Sequence, residues 1–405
     1  MRFYMDTARL GRACPNSLQV QCEFAQLAAE DPSLYSLDFL RDGAEVWHDS
    51  VRRRFPMLSR WRGVAHLQSM FADAFGMDVH GSIFLASQSA KLVRIAARLM
   101  FRQCRNVLTS DMNWPAWQAI VNEEAANNGA TITHIKLADR VILDGWDDIE
   151  MSCLLAEHYV KKNCDCFFLP VVSSHGIGLP IEDLVARIRR YAELRFVLLD
   201  AAQAFCHVPV DGPMQSADVL ITGCHKWLGA HLPMGVAAVK SYYVAAQLRQ
   251  VFNYGDHVTY CHDPLLQLTE QIIRGQVNRY SETVDIAPML SACGALASGH
   301  ARPQHVCEQL HKRLSNRHGL VECFRESRWE TLPLDDSIQT AILLAQSRGK
   351  QFSPTNPDEL LAQFRNHGIG LSAYSNGTVR MALPSEKLQP DQLACLHSAL
   401  YSVCT

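Results

Sequence analysis

The sequence contains no apolar stretch approaching the roughly 20 residues that cross a bilayer, and neither sign of charge is in excess. Its 38 Lys and Arg residues face 41 Asp and Glu residues, a formal net charge of −3. There is also no long basic run, so nothing attracts a polyphosphate backbone, and nucleic acid is not an expected partner. The opening residues, Met1 to Asp6, lack the uninterrupted apolar core of a secretory signal, so the protein is expected to remain in the cytosol. Because that compartment is reducing and the 14 cysteines are irregularly spaced, they read as small buried hydrophobes rather than a disulfide framework. Cys164 and Cys166 flank Asp165 like metal ligands, but they run into the apolar Phe167–Val172. Residues two apart share one face of a strand, which favours core packing. The 17 histidines raise the same question; His300, His305, His311 and His318 lie in a charged, helix-like stretch without a metal-binding spacing such as H-E-x-x-H and read as solvated surface. No metal is expected. Internal repeats and low-complexity tracts are absent as well.

What is present is a chain of 405 residues, 48% hydrophobic and 20% charged, enough to bury one large core and a smaller one. Short apolar runs at 82–86, 106–110, 131–137, 166–173, 195–200 and 219–222 alternate with segments of helical period such as 181–194. Strands alternating with helices predict an α/β fold, a mainly parallel sheet covered on both faces. Beyond residue 275 the alternation gives way to a helix from Ile286, weaker strands and a closing helix over 390–403. The expected organisation is therefore a large domain over 31–275 and a smaller α+β domain over 276–405, joined by an N-terminal segment over 1–30.

Ligands of open parallel sheets bind beyond the carboxyl ends of the strands, so the residues just after each apolar run carry the information. Here the runs deliver Ser87-Gln88-Ser89, Asp111 to Trp114, Ser173-Ser174-His175, Asp200 to Gln203, and Cys224-His225-Lys226. A carboxylate closing one buried strand and a lysine just past a later one suit pyridoxal 5'-phosphate (PLP). The amine holds the cofactor as a Schiff base and shuttles the Cα proton, while the carboxylate keeps the pyridine nitrogen protonated. Taken alone, Lys226 is an ordinary loop lysine; its pairing with Asp200 in successive strands gives it meaning.

Asp200-Ala201-Ala202-Gln203 followed by His225-Lys226 resembles the D-x-x-Q … H-K signature of class-V aminotransferases, the PLP fold-type I group that holds cysteine desulfurases and kynureninases. The resemblance implies that Lys226 is the Schiff-base lysine, that Asp200 pairs with the pyridine nitrogen, that Gln203 lies near the phenolic oxygen and that His225 lines the phosphate side. Ser87, Gln88 and Ser89 resemble the phosphate turn at a helix N-terminus, where backbone N–H groups favour an anion; an ordinary polar N-cap is the alternative. Trp114 falls where the family stacks a residue on the pyridine ring, with Asn113 the other choice. Ser174 replaces the family's usual Asn facing the phenolic oxygen, and Gly223 stands where desulfurases carry a phosphate-binding Ser. Thr283, within Asn278–Thr283, resembles the residue given across a homodimer interface to the partner's phosphate, or else a plain helix N-cap. Arg380, in Gly377–Pro384, resembles the arginine that binds the substrate carboxylate, a task suited to its planar fork.

PLP supports several reactions from one starting point, so the choice rests on what else the site holds. Cysteine desulfurases carry a sulfur-accepting cysteine shortly before the carboxylate arginine, and the stretch 367–376 has none. Cys323 and Cys224 are the other thiols to consider. The expected partners are a small amino acid or amine substrate and a second copy of the chain. The expected activity is that of an aminotransferase; a Cβ-bond lyase and a non-catalytic PLP-fold binding protein are the alternatives.

Overall fold

The computed structural model describes residues 3–77, 81–254, 262–276, 283–325, 327–349 and 355–403. Its strands are β1 (Phe3–Tyr4), β2 (Ser82–Ala86), β3 (Asn106–Ser110), β4 (Thr131–Ile135), β5 (Cys166–Pro170), β6 (Phe196–Asp200), β7 (Val219–Gly223), β8 (Gly235–Val239), β9 (Trp329–Thr331), β10 (Ile342–Ser347), β11 (Ile369–Gly370), β12 (Ser372–Ala373) and β13 (Val379–Ala382). Seven of them form the central sheet in the order β2-β8-β7-β6-β5-β3-β4. Every pair from β4 to β7 is parallel, and β8 runs antiparallel to both β7 and β2.

The apolar runs become strands because both sheet faces are covered. Phe168, Leu198 and Ile221 pack in one core, while their neighbours Phe167, Leu199 and Leu220 pack in the core on the opposite face. That is the period of two expected of a strand. Each such side chain contributes roughly 1.5–3 kcal/mol by leaving water. Helices such as Ser89–Gln103 and Ile181–Tyr191 connect the strands. The sheet extends the expected one by β8, a short run reached from β7 without an intervening helix.

A second, antiparallel sheet of order β12-β13-β10-β9 is built from the C-terminal part. The N-terminal β1 pairs in parallel with β11, Phe3 opposite Ile369, and Met5 then accepts an N–H from Ala382 at the end of β13 (2.7 Å). Helix Pro15–Glu30 lies on helix Ala287–Ala297, where the hydroxyls of Ser17 and Ser291 meet at 2.8 Å. Among the described residues the cysteines are free thiols, and no helix is long and apolar enough to cross a membrane. Cys104, Asp165 and Cys166 bring ligand atoms within 4.8 Å of one another. Asp165, however, is committed to the backbone N–H groups of Arg105 and Asn106 at 2.8 and 3.0 Å.

Candidate active site

Strand pairing sets the first two functional groups side by side. Asp200 is the last residue of β6 and stands opposite Ile221 of β7, so the chain leaving β7 delivers Lys226 beyond the same sheet end. Both side chains line a cavity of about 290 Å³. Asp200 receives one short hydrogen bond, from the Ala202 N–H at 2.7 Å. Burial pushes its carboxyl up to about 6, against smaller opposing effects of that bond and of Lys226. Lys226 is shifted down by burial, helped by the Arg380 charge and opposed by Asp200. A desolvated amine with a lowered proton affinity is uncharged more of the time than a solvated one, which favours its use as a base and nucleophile. His225, on the same wall, is also lowered by burial, and its buried Nδ1 has no hydrogen-bond partner.

The opposite wall comes from the second sheet. Arg380 on β13 is buried; its Nη1 donates to the Ser174 carbonyl at 2.9 Å and its Nη2 to the Ser372 hydroxyl at 3.1 Å. The Nε, also buried, has no partner. Two bonds fix the plane of the fork, leaving donors over from the five of a guanidinium. Asp6 of the N-terminal segment lies 3.6 Å from Arg380 Nη2, accepts from the Ser372 hydroxyl at 2.6 Å and accepts from Arg9 Nε at 2.7 Å. Gly176 admits the neighbouring turn against β10: a Cβ there would stand 2.4 Å from Ile342 Cβ, and φ is +85°.

Glycine is required where the N-terminal segment crosses the lysine loop. A Cβ on Gly11 would lie 1.8 Å from the Lys226 carbonyl oxygen, and the Gly11 N–H donates to the His225 carbonyl at 2.8 Å. Gln203 braces the same region, its Nε2 donating to the Ala8 carbonyl (2.6 Å) and its Oε1 accepting from Trp227 Nε1 (3.0 Å). At the other end of the cavity, Gly235 lets β8 approach the N-terminus of helix Ser89–Gln103, since a Cβ there would stand 2.5 Å from the Ser89 nitrogen.

Of the residues expected from sequence, Ser89, Trp114, Ser174, Asp200, Gln203, His225, Lys226 and Arg380 line this one cavity. Trp114 is 47% exposed, while Asn113 is buried and donates to Gln118 and to the Phe168 carbonyl. Three expected residues do not line it. Both donors of Ser87 are taken by Asp263, the backbone N–H at 3.0 Å and the hydroxyl at 2.5 Å, because that buried carboxylate caps helix Pro264–Ile273. Gln88 is exposed, at the N-cap of its helix with no side-chain capping bond. Thr283 is exposed, and Asp285 rather than Thr283 receives the Ala287 N–H at the next helix; the preceding residues 278–282 lie outside the described residues. Two further lining residues, Ala8 and Arg9, carry no local pattern that marks them in the sequence. Trp117, also missed, lies in the first turn of the helix Pro115–Asn127 that Trp114 precedes.

The donor set suits PLP. Asp200 is buried with a single backbone bond and is held short of full ionisation, a state that a cationic pyridine nitrogen relieves; Lys226 shares its cavity. For the phosphate, Ser89 at the helix start and the orphaned His225 Nδ1 are at hand.

Comparison with known proteins gives the same picture. The family model for Aminotransferase class-V matches residues 64–268. No curated protein sequence matches the chain. Among solved structures, the cystine C–S lyase C-DES in complex with cysteine persulfide superposes with a TM-score of 0.68 at 16% identity, covering 98% of this chain and 97% of its own. Ureidoglycine-glyoxylate aminotransferase from Bacillus subtilis gives 0.67 at 15%, over 99% and 93%. The cysteine desulfurase CsdA from Escherichia coli gives 0.68 at 13%, over 98% and 93%. Identities this low speak for the fold, PLP fold-type I, and the family match carries the rest. The chain belongs to the class-V aminotransferase family and is a PLP-dependent enzyme.

Proposed function

We propose that the protein transfers the amino group of an α-amino acid to a 2-oxo acid. The observation that carries this reading is the make-up of the substrate wall: a guanidinium on β13 and, among the described residues, no thiol. The hairpin joining β12 to β13 is only Tyr374 to Thr378, closed by the Tyr374 N–H on the Thr378 carbonyl at 2.9 Å, and holds no cysteine. Among the described residues no cysteine lines the cavity. Burial pushes the Cys224 and Cys323 thiols up, away from the thiolate that sulfur capture needs.

Bound PLP supplies an electron sink that lets a bond to Cα break heterolytically. Lys226 would hold the cofactor by its amine and, once displaced from it by the substrate and uncharged, would serve as the base for the Cα proton. Asp200 holds the proton of the pyridine nitrogen. The Arg380 fork, steadied by Ser174 and Ser372, pairs with the substrate carboxylate through its remaining donors and so selects which Cα bond faces Lys226. Ser89 and His225 hold the phosphate; Trp114 covers the ring and, with Trp117, keeps water away. The chain works as a cytosolic homodimer, in which Thr283, exposed and outside its own chain's cavity, reaches the partner's phosphate; dilution to monomers should then loosen the cofactor.

The test is a panel of amino acids offered with and without a 2-oxo acid, read by visible spectrum and by mass spectrometry of products. Turnover should require the acceptor, and cysteine alone should give neither a protein persulfide nor catalytic alanine. Sulfide with alanine, or a 2-oxo acid and ammonia released without an acceptor, would replace this reading with a lyase.

A further inference from the structure

The cavity that holds Lys226 is not the largest. A second, of about 400 Å³, opens between helix Pro303–Arg325 and the loops after β6 and β7, and falls in the range of small-molecule sites. Trp227, the residue after Lys226, forms part of its wall, as do Cys206, Arg313 and Ser385. The Trp227 indole lies against the His207 ring at 3.8 Å, nearly parallel, and carries the Arg313 guanidinium 5.0 Å from its centroid.

Arg313 is the unusual group here. Its Nη1 is buried and has no hydrogen-bond partner. No carboxylate within ion-pair distance of it is seen among the described residues; Glu386, on the same rim, acts on it only through space. Burial pushes its guanidinium down to about 10, the mark of a cation stripped of water and not repaid by a partner. Lys312 adds a second positive charge to the lining, and the stacked rings of His300 and His305 close one side. These two histidines, expected from the sequence to be solvated surface, thus border a cavity. Arg313 lines a cavity of ligand size with no carboxylate paired to it among the described residues, is backed by an indole and is accompanied by Lys312, a lining that suits an anion with planar or tetrahedral oxygens.

We propose that this cavity is a second ligand site that binds an oxyanion, the carboxylate or phosphate group of a small metabolite, on Arg313. It is separate from the PLP cavity, from which Trp227 divides it. Its occupant completes the stack of His207, Trp227 and Arg313. The assignment does not depend on which reaction the enzyme catalyses.

The test uses holoenzyme reduced with borohydride, so that the cofactor occupies its own phosphate site and amino acids cannot react. Inorganic phosphate and succinate are titrated separately by calorimetry, the two arms distinguishing phosphate from carboxylate ligands. One site per chain is expected for at least one of them, weakened about 10-fold or more in Arg313→Met and largely restored in Arg313→Lys. Two further variants leave the guanidinium in place. Ser385→Trp should fill the cavity and abolish binding, and Glu386→Gln, which removes an exposed competing carboxylate, should tighten it several-fold. Absence of saturable binding for both anions, or affinity unchanged in Ser385→Trp and Glu386→Gln, overturns the proposal. A failure of borohydride to fix the cofactor would instead count against the Lys226 assignment and leave the Arg313 variants to be read on their own.

Discussion

Two buried carboxylates in this chain, Glu124 and Asp200, have opposite surroundings. Glu124 is 1% exposed and both its oxygens are bound, one by Arg94 Nη1 at 2.6 Å and the other by Arg98 Nε at 2.7 Å, tying helix Ser89–Gln103 to helix Pro115–Asn127. Asp200 is 5% exposed and has one backbone bond, with an amine nearby that burial drives toward neutrality. A satisfied buried charge holds the fold together, whereas an unsatisfied one is kept because a ligand completes it. The same contrast separates Arg98 from the Nε of Arg380 and the Nη1 of Arg313.

The largest difference should appear on removing one group from each region. Lys226→Ala should lower turnover by about 10³-fold or more, and borohydride should no longer fix the cofactor, which in the wild type maps to Lys226 alone. The cofactor-free Lys226→Ala protein should unfold at a denaturant concentration no lower than the wild-type apoprotein. Glu124→Gln should leave chemistry alone and cost about 3 kcal/mol of stability, by removing the buried charge that Arg94 and Arg98 share. Comparable destabilisation by both would end the distinction.

Asp200→Asn sharpens it through pH. The carboxyl has an ordinary value of 3.8 and a folded value of about 6, so between these the folded chain holds a proton that the unfolded chain has released. Stability from this group therefore falls as pH rises through that window, and by pH 7 the wild-type apoprotein carries a penalty of about 3 kcal/mol. Urea melts of the apoproteins should diverge from near equality at pH 4 to a more stable Asp200→Asn at pH 7. The same variant should keep the cofactor yet lose roughly 10²–10³ in turnover.

Smaller effects are expected at the edges of the cavity. Arg380→Gln should raise KM for an amino acid about 10–100-fold with little change in cofactor affinity, as expected for a charged hydrogen-bonded contact to substrate. Trp114→Ala should weaken cofactor binding by roughly 1 kcal/mol, the size of a ring stack, seen as faster loss of the visible absorbance on dialysis. Equal losses of cofactor in the two variants would mean that both act on the fold instead.

Much of this was legible without coordinates. Buried parallel strands announce themselves as continuous apolar runs, and the residues just after each run border the cavity, so position marked out Asp200, Lys226 and Trp114 as candidates while the resemblance supplied the roles expected of them. β8 was missed because it comes after β7 without a helix and so breaks the alternation. Ser87 was expected at the phosphate; it faces Asp263 instead, a residue 176 positions away that no short-range pattern links to it.

Local order along the chain thus determined the identity of the elements and the groups at their ends, because periodicity and burial act over a few residues. Contacts between distant segments decided the rest. The approach of Asp6 to Arg380, the passage of Gly11 over the Lys226 carbonyl, and the cavity around Arg313 join residues far apart in sequence. Such contacts depend on how sheets and helices pack in three dimensions, which is why the chemistry of single strand ends could be read directly and the places of Asp6, Gly11 and Arg313 could not.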